Sequence, residues 1–311
     1  MTGEVAALAG GLACAGAGGE LFVRAAVGIA AWARVPAGVI GATVAAFATS
    51  TPEVSVAIGA ALAEKPAIAL GDGLGSNVVN VALVLGLALL IGPIVAPRES
   101  TRRDVPFAVV IPLATIVLAL DGDLSRIDAA ILLSVFSAWL VLTTLGARRD
   151  RSAAVAVLAE RSHARSIVEL VVGLVLLVAA GRLIVFGARG VGEELGLDAF
   201  VVGATFVAVG TSTPELATTL VSRVRGHSEV GLGTLIGSNI YNGAFVIALA
   251  ALIHPIGVNF REVGAAIGFG LALVALLLNA RGALGRRLGV MFLALYVGYV
   301  AVLVTIAPSV H

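Results

Sequence analysis

The sequence predicts an all-α integral membrane protein with ten transmembrane helices, arranged as two inverted five-helix repeats whose helices are broken at the membrane midplane. Three observations support this fold class: the composition, the number of long apolar segments, and an internal repeat. Of the 311 residues, 59% are hydrophobic and 13% are charged, and the mean hydropathy is +1.07. Because a soluble domain carries about a quarter charged residues, this composition excludes a soluble protein.

Ten apolar segments have the roughly 17 to 25 residues that a membrane span requires. They lie at about residues 4–30, 37–62, 67–92, 105–120, 127–146, 166–189, 199–222, 229–253, 262–279 and 288–307. The longest polar interruption separates the fifth segment from the sixth. We therefore predict a first five-helix repeat at residues 1–146, a cytoplasmic linker at 147–165, and a second repeat at 166–311.

The charges of the loops predict the orientation. If the linker is cytoplasmic, 14 loop arginines lie on its side and four basic loop residues lie on the other. This is a strong positive-inside bias. We therefore expect a multi-pass protein of the cell membrane (plasma or inner membrane) with both termini on the side away from the cytoplasm. The net charge of +1 suggests no nucleic-acid partner. Since Cys14 is the single cysteine, an intramolecular disulfide or a cysteine metal cluster is excluded.

The chain aligns with itself at an offset of 162 residues. GATVAAFATSTPEV from Gly41 lies over GATFVAVGTSTPEL from Gly203, and GSNVVN from Gly75 lies over GSNIYN from Gly237. An odd number of spans separates the two copies, so the halves enter the membrane from opposite sides. This is the plan of secondary transporters, whose substrate site lies near the midplane where the repeats meet.

The prolines of the two STPE motifs predict breaks in their helices. Pro52 and Pro214 have no N–H group, so the carbonyls of Ala48 and Gly210 are expected to lose their helical partners. Such groups are tolerated at membrane depth only inside protein or beside a wet cavity. The freed carbonyls are candidate cation ligands, although a proline beside Ser and Thr is also common as a simple kink.

Four pairs of polar side chains stand one helical turn apart and so share a face. They are Thr49 with Glu53, Thr211 with Glu215, Ser76 with Asn80, and Ser238 with Asn242. All of their ligand atoms are oxygens, which hard cations such as Ca²⁺ or Na⁺ prefer, whereas zinc and copper prefer histidine or cysteine. The two serines could instead serve close helix packing. The two glutamates are interpreted as functional, because an unpaired carboxylate in the bilayer costs several kcal/mol.

These paired motifs resemble the alpha-repeats of the sodium/calcium exchanger family, of prokaryotic type, in the cation/calcium antiporter superfamily. The resemblance covers residues 41–94 and 203–256 closely and implies a ten-helix transporter that exchanges Na⁺ for Ca²⁺ by alternating access. It implies that the Ca²⁺ ligands are Thr49, Glu53, Thr211 and Glu215. It also implies Na⁺ sites at Ala46, Ser50, Ser76, Ala208, Ser212 and Ser238, with Asn80 and Asn242 completing the centre. The first and sixth spans look like the pair that slides across the other eight.

Three positions depart from the family's pattern. Ala48 stands where the motif usually has glycine, and Asn242 stands where some prokaryotic relatives have aspartate. Asp72 aligns with Thr234 of the second repeat and occupies a position often held by asparagine. Asp72 is either a third acid in the vestibule of the site or a charge at the N-terminal end of a helix, and the second interpretation is preferred here.

Charge balance leads to an expectation about coupling. Two ionised glutamates are neutralised by one Ca²⁺ or by two Na⁺. A third Na⁺ would add uncompensated charge in a medium of low dielectric constant unless Asp72 helps. The exchange ratio is therefore expected to differ from the electrogenic three-to-one ratio that the family suggests.

Other functions remain as alternatives. An H⁺- or K⁺-coupled Ca²⁺/cation antiporter could use the same glutamates. A membrane-embedded hydrolase is disfavoured because the spans contain no Ser/His pairing or His-rich zinc motif, and a scaffold would not need two symmetric carboxylates. We expect no enzymatic activity and no cofactor. The expected partners are the transported Ca²⁺ and Na⁺ and the lipid bilayer, and the chain is expected to act as a monomer.

Overall fold

The computed structural model describes residues 2–33, 37–95, 98–149, 163–194, 199–279 and 283–306. Nearly all of these residues are helical, which confirms an all-helical architecture. The helices are α1 (Thr2–Ala33), α2 (Gly38–Leu62), α3 (Pro66–Ile91), α4 (Arg98–Leu118), α5 (Arg126–Arg149), α6 (His163–Glu194), α7 (Ala199–Thr211 and Thr213–Val224), α8 (Ser228–Ile253), α9 (Phe260–Asn279) and α10 (Arg286–Ile306).

Seven helices in the described ranges are long and apolar enough to cross a membrane, namely α2, α3, α4, α5, α8, α9 and α10. The two segments of α7, bent by 42°, add an eighth if they form one span. The chain is therefore a multi-pass membrane protein, whereas the count of ten spans stays a prediction. Residues 150–162 of the predicted linker lie outside the described residues.

Four two-residue strands, which the sequence did not predict, join loops of the two repeats. They are β1 (Ile94–Val95), β2 (Asp123–Leu124), β3 (Ile256–Gly257) and β4 (Ala283–Leu284). β1 pairs antiparallel with β4, and β2 pairs antiparallel with β3. Each of these strand pairs joins a loop of the first repeat to a loop of the second. In both cases the predicted orientation places the two joined loops on the same side of the membrane.

The two repeats cross through backbone contacts at glycines in equivalent positions. A Cβ atom on Gly75 of α3 would lie 2.5 Å from the Cα atom of Ala204 in α7. On the opposite crossing, a Cβ on Gly237 of α8 would lie 2.7 Å from the Cα of Ala42 in α2. Both spacings are too short for any side chain, and small residues at such crossings allow close packing of membrane helices. The glycines of the GSN motifs thus hold each STPE helix against the partner repeat.

Helices α1 and α6 pack on each other and on the outside of the α2 and α7 pair. A Cβ atom on Gly18 of α1 would lie 2.9 Å from the carbonyl oxygen of Gly173 in α6. Around this crossing is a small apolar cluster, separate from the large core of the other helices, formed by Phe22, Ala45, Ala48, Leu177, Ala180 and Ala217. In this contact the α2 and α7 pair presents the small residues Ala45, Ala48 and Ala217, whereas α1 and α6 contribute the large side chains of Phe22 and Leu177.

The glycine crossings lead to a prediction about stability. Gly237→Ala should lower the free energy of unfolding by about 1–3 kcal/mol, because the added methyl group overpacks the α2–α8 contact. The matched control is Gly268→Ala in α9, where an added Cβ would meet nothing within 4 Å, so that substitution should be neutral or slightly stabilising. Thermal unfolding of the purified proteins in detergent measures both. Equal melting temperatures for the two variants would contradict the described crossing.

Candidate cation-binding site

The two STPE motifs interrupt their helices at equivalent serines. Ser50 has φ −80° and ψ 9°, and Ser212 has φ −76° and ψ 7°, so both leave the helical region at the same point of the motif. Upstream of the serine, each repeat forms a π-helical turn, at Gly41–Ala45 and at Gly203–Val207. Such turns are frequent at functional sites. In the second repeat, the helical segments on either side of the interruption at Ser212 meet at a bend of 42°.

The prediction that Pro52 leaves the carbonyl of Ala48 free is wrong. The hydroxyl of Thr51 donates a hydrogen bond of 2.8 Å to that carbonyl and so replaces the missing backbone donor. In the second repeat, the hydroxyl of Thr213 instead donates to Val209, at 3.3 Å. The two breaks are therefore equivalent in backbone geometry but differ in how the carbonyls beside them are used.

Ala46 and Ala208, the predicted Na⁺ ligands, lie in the last helical turn before each break. Their carbonyls accept hydrogen bonds from the backbone N–H groups of Ser50, at 2.9 Å, and Ser212, at 3.0 Å. A carbonyl oxygen has a second lone pair that remains able to bind a cation. The hydroxyls of Ser50 and Ser212 are buried and have no hydrogen-bond partner in the part of the chain that the structure describes.

The hydroxyls of the two repeats meet in two reciprocal pairs. The Oγ1 of Thr49 lies 3.5 Å from the Oγ of Ser238, and the Oγ1 of Thr211 lies 3.3 Å from the Oγ of Ser76. All four side chains are almost completely buried. Each threonine that the sequence places beside a glutamate of its own repeat therefore also contacts a serine of the other repeat.

Both predicted glutamates are completely buried beside these hydroxyls. The Oε1 of Glu215 accepts a hydrogen bond of 2.9 Å from the Oγ of Ser238. Neither oxygen of Glu53 accepts a hydrogen bond from any group within the described ranges. Because a buried carboxylate without a partner is strongly unfavourable, the structure has two negative groups here that call for positive charge.

The two predicted asparagines are both completely buried, and a third asparagine orients one of them. The Nδ2 of Asn80 donates to the Oδ1 of Asn239 at 3.0 Å, and Asn239 donates to the carbonyl of Asn77 at 3.1 Å. The buried Oδ1 of Asn80 has no hydrogen-bond partner among the described residues. The same is true of the side-chain oxygen and nitrogen of Asn242. Asn239 was not among the predicted site residues, although both GSN motifs contain an asparagine at this position, Asn77 and Asn239.

The preferred interpretation of Asp72 as a helix-end charge is wrong. Asp72 lies outside the first turn of α3, which begins at Pro66, and its side chain is completely buried. Its Oδ1 accepts hydrogen bonds from Thr211, at 2.8 Å, and from Ser76, at 3.3 Å. Asp72 therefore belongs to the same polar centre as the predicted ligands.

The chemistry of the centre depends on its neutral oxygens as well as on its acids. In the described part of the chain, no three Asp, Glu, His or Cys side chains gather around one point where they could hold a metal ion. Any bound cation would therefore also use hydroxyl, amide or carbonyl oxygens. That oxygen set suits Ca²⁺ and Na⁺.

Buried carboxylates and hydroxyls at the crossing of two repeats in a multi-pass membrane protein define a membrane transporter for small cations. The comparison with known families agrees: residues 4–145 and 165–305 match the family described as sodium/calcium exchanger protein. This chain belongs to that family, whose members are membrane ion exchangers. The resemblance that the motifs predict is confirmed.

Relatives and solved structures cover most of the chain. The inner membrane protein YrbG of Escherichia coli is 33% identical over 71% of this chain and 71% of its own length. The sodium/calcium exchanger MaX1 of Methanosarcina acetivorans is 27% identical over 92% of this chain and 94% of its own. A structure of the sodium-calcium exchanger NCX_Mj, soaked with Na⁺ and Sr²⁺, matches with a TM-score of 0.82 and 30% identity, covering 96% of this chain and 98% of that one.

The burial of Glu53 leads to a prediction about stability. In choline buffer with a chelator and no Na⁺ or Ca²⁺, Glu53→Gln should raise the melting temperature, because it removes an unpaired buried charge. A gain of about 1–3 kcal/mol would raise it by roughly 2–4 °C per kcal/mol. Glu64→Gln, at an exposed position, is the control and should change nothing. A melting temperature of Glu53→Gln at or below that of the unaltered protein would contradict the described environment.

Proposed function

We propose that this protein is a secondary active antiporter that exchanges Na⁺ for Ca²⁺ by alternating access, without enzymatic activity or a cofactor. It acts as a monomer in the plasma or inner membrane, with ten spans broken at the midplane and both termini outside the cytoplasm. The observation that carries the proposal is the reciprocal contact of the two inverted motifs, which surrounds Glu53 and Glu215 with oxygen ligands.

In this proposal, Ca²⁺ binds between the repeats at Thr49, Glu53, Thr211 and Glu215. Two carboxylates neutralise one Ca²⁺, and the threonine hydroxyls replace part of its hydration shell. Each repeat supplies one hydroxyl and one carboxylate, so binding joins the two halves of the protein. In support, MaX1 is named a sodium/calcium exchanger, and the NCX_Mj structures concern extracellular ion exchange and occlusion of its binding site.

The Na⁺ ions occupy the oxygens on either side of the Ca²⁺ position, in contact with the same glutamates. These oxygens belong to Ala46, Ser50, Ser76, Ala208, Ser212 and Ser238, with Asn80 and Asn242 at the centre. The two unpartnered serine hydroxyls, on Ser50 and Ser212, favour Na⁺ over H⁺ as the coupling ion, because a proton needs no cage of neutral oxygens. An H⁺- or K⁺-coupled Ca²⁺/cation antiporter is the second candidate.

Shared carboxylates explain why the transport is an exchange. Ca²⁺ and Na⁺ cannot both neutralise Glu53 and Glu215, so they compete for the same place. A protein with neither ion would keep two unpaired charges buried, at a cost of several kcal/mol each. The transition between the two access states is therefore favoured only when cations are bound, and each transition carries either Ca²⁺ or Na⁺.

The sliding of α1 and α6 across the other helices opens the site to one side and then to the other. Where the pair packs on α2 and α7, those helices present the small side chains of Ala45, Ala48 and Ala217, which leave little to obstruct such a motion. Among the described residues, a polar contact must be exchanged, since Glu20 of α1 accepts a hydrogen bond of 2.9 Å from Arg225, just beyond α7. Arg225 is about half exposed, and ion pairs of that kind contribute at most about 1 kcal/mol, so the contact does not block sliding.

Transport in proteoliposomes tests the function. An imposed Na⁺ gradient should drive uptake of radioactive Ca²⁺, whereas K⁺ or H⁺ gradients imposed alone should not. Glu53→Gln and Glu215→Gln should each reduce the uptake to background, because each removes half of the negative charge that binds Ca²⁺. The exposed Glu64→Gln should retain full uptake. Ca²⁺ uptake that is independent of Na⁺ and driven by a proton gradient would support the second candidate instead.

Labelling of single cysteines tests the proposed orientation. In a Cys14→Ser background, a membrane-impermeant maleimide should label Ser309→Cys in intact cells, because the C-terminus faces outward. It should label Ser152→Cys, in the linker, only after permeabilisation, as the excess of arginines on that side requires. Labelling of both positions from the same side would exclude the proposed layout of ten spans.

A further inference from the structure

The two flanks of the centre are equivalent in sequence but not in charge. On one, the Glu215 flank, Ser238 contacts Thr49 and donates its hydrogen bond to Glu215. On the other, the Asp72 flank, Ser76 contacts Thr211 and donates to Asp72 instead of Glu53. In the first repeat the motif serine therefore donates to Asp72, whereas in the second repeat it donates to Glu215. Glu53 is a third acid, which accepts from neither serine.

One substitution between the repeats accounts for this difference. The residue of the second repeat that aligns with Asp72 is Thr234, whose hydroxyl donates to the carbonyl of Val230 in its own helix, at 2.9 Å. The Glu215 flank therefore gains no additional carboxylate. Asp72 makes the centre asymmetric, with three buried acids distributed over two flanks.

Within the described residues, Asp72 has one oxygen without a partner. Its Oδ1 accepts the bonds from Thr211 and Ser76, whereas its buried Oδ2 accepts none. Ionised carboxylates at Asp72, Glu53 and Glu215 would repel one another in this buried centre. One Ca²⁺ or two Na⁺ leave this group of three acids with uncompensated negative charge, and a third monovalent cation would neutralise it.

We infer that Asp72 is a third cation-binding carboxylate, and that the Asp72 flank binds one Na⁺ beyond those that Glu53 and Glu215 alone would balance. The inference rests on the proposed function and reverses the expectation drawn from charge balance on two glutamates. The ligands of this ion are the free oxygen of Asp72 and the hydroxyl oxygens of Ser76 and Thr211.

Thr211 links this ion to the exchange cycle. Its hydroxyl oxygen belongs to the proposed Ca²⁺ site and also lies 2.8 Å from Asp72, so Na⁺ on the Asp72 flank and Ca²⁺ would be close neighbours and repel each other. When Ca²⁺ binds, this Na⁺ leaves. Asp72 then stays compensated by the nearby Ca²⁺ and by the hydrogen bonds from Thr211 and Ser76, which are strong because the acceptor is charged.

Asp72→Asn and Asp72→Thr test the inference, the second variant by copying the residue of the second repeat. Asp121→Asn, at an exposed loop position, is the control. In proteoliposomes with the membrane potential clamped, the Na⁺ gradient at which net Ca²⁺ flux reverses measures the number of Na⁺ exchanged per Ca²⁺. Both Asp72 variants should still exchange Ca²⁺ but with one Na⁺ fewer per Ca²⁺, and Asp121→Asn should match the unaltered protein.

An unchanged ratio in a transporting Asp72 variant would overturn the inference. So would the loss of all Ca²⁺ exchange by both variants when they are folded and monodisperse, because Asp72 would then be required for Ca²⁺ itself. Failure of the unaltered protein to exchange Ca²⁺ for Na⁺ would instead contradict the proposed function.

Thermal stabilisation by each ion alone tests Asp72 without transport. The Na⁺ concentration for half-maximal stabilisation should rise about tenfold in Asp72→Asn, which corresponds to about 1.4 kcal/mol. The Ca²⁺ concentration should change less than twofold. Equal effects on both ions, or none on Na⁺, would overturn the inference.

Discussion

The carboxylate of Glu53 is the group on which the rest of the structure depends. It is completely buried, and neither of its oxygens accepts a hydrogen bond from the described residues. Because the carboxylate is shielded from water in this structure, its negative charge calls for a bound cation. The neighbouring hydroxyl and amide groups suit the binding of a cation beside this carboxylate. They offer oxygen atoms to a cation and contribute no competing positive charge of their own.

The close crossings of the two repeats make this arrangement possible. Glu53 and Glu215 come from helices that are distant in sequence, and the neutral oxygens of the centre come from both repeats. The glycines of the GSN motifs allow the backbones to approach until Thr49 meets Ser238 and Thr211 meets Ser76. Larger residues at those glycines would separate the hydroxyls from the carboxylates, so packing and ion binding are connected through the same few positions.

Much of this centre could be predicted from the sequence, because the repeat itself is a sequence property. The offset of 162 residues identified the motifs, and the spacing of Thr and Glu indicated a shared helical face. What could not be predicted were contacts between the repeats. Asp72 looked like a helix-end charge when only its own helix was considered, and its hydrogen bond with Thr211 spans 139 positions. Asn239 was missed for the same reason.

The error at Ala48 has a different origin. A proline removes one backbone donor with certainty, but several side chains can replace it, and sequence alone does not decide among them. Thr51 does so in the first repeat, whereas Thr213 of the second repeat bonds to a different carbonyl. Local symmetry of sequence therefore did not ensure local symmetry of hydrogen bonding, although the positions of the larger groups follow the repeat closely.

The central claim is that the crossing of the two motifs forms the cation site, and locating a bound ion tests it most directly. Crystals of the protein soaked in Sr²⁺ without Na⁺ would show this heavier relative of Ca²⁺ by its anomalous scattering. The account predicts a peak between Glu53 and Glu215, bound by the hydroxyls of Thr49 and Thr211. An ion found only elsewhere, or no ion at a concentration that stabilises the protein, would contradict it.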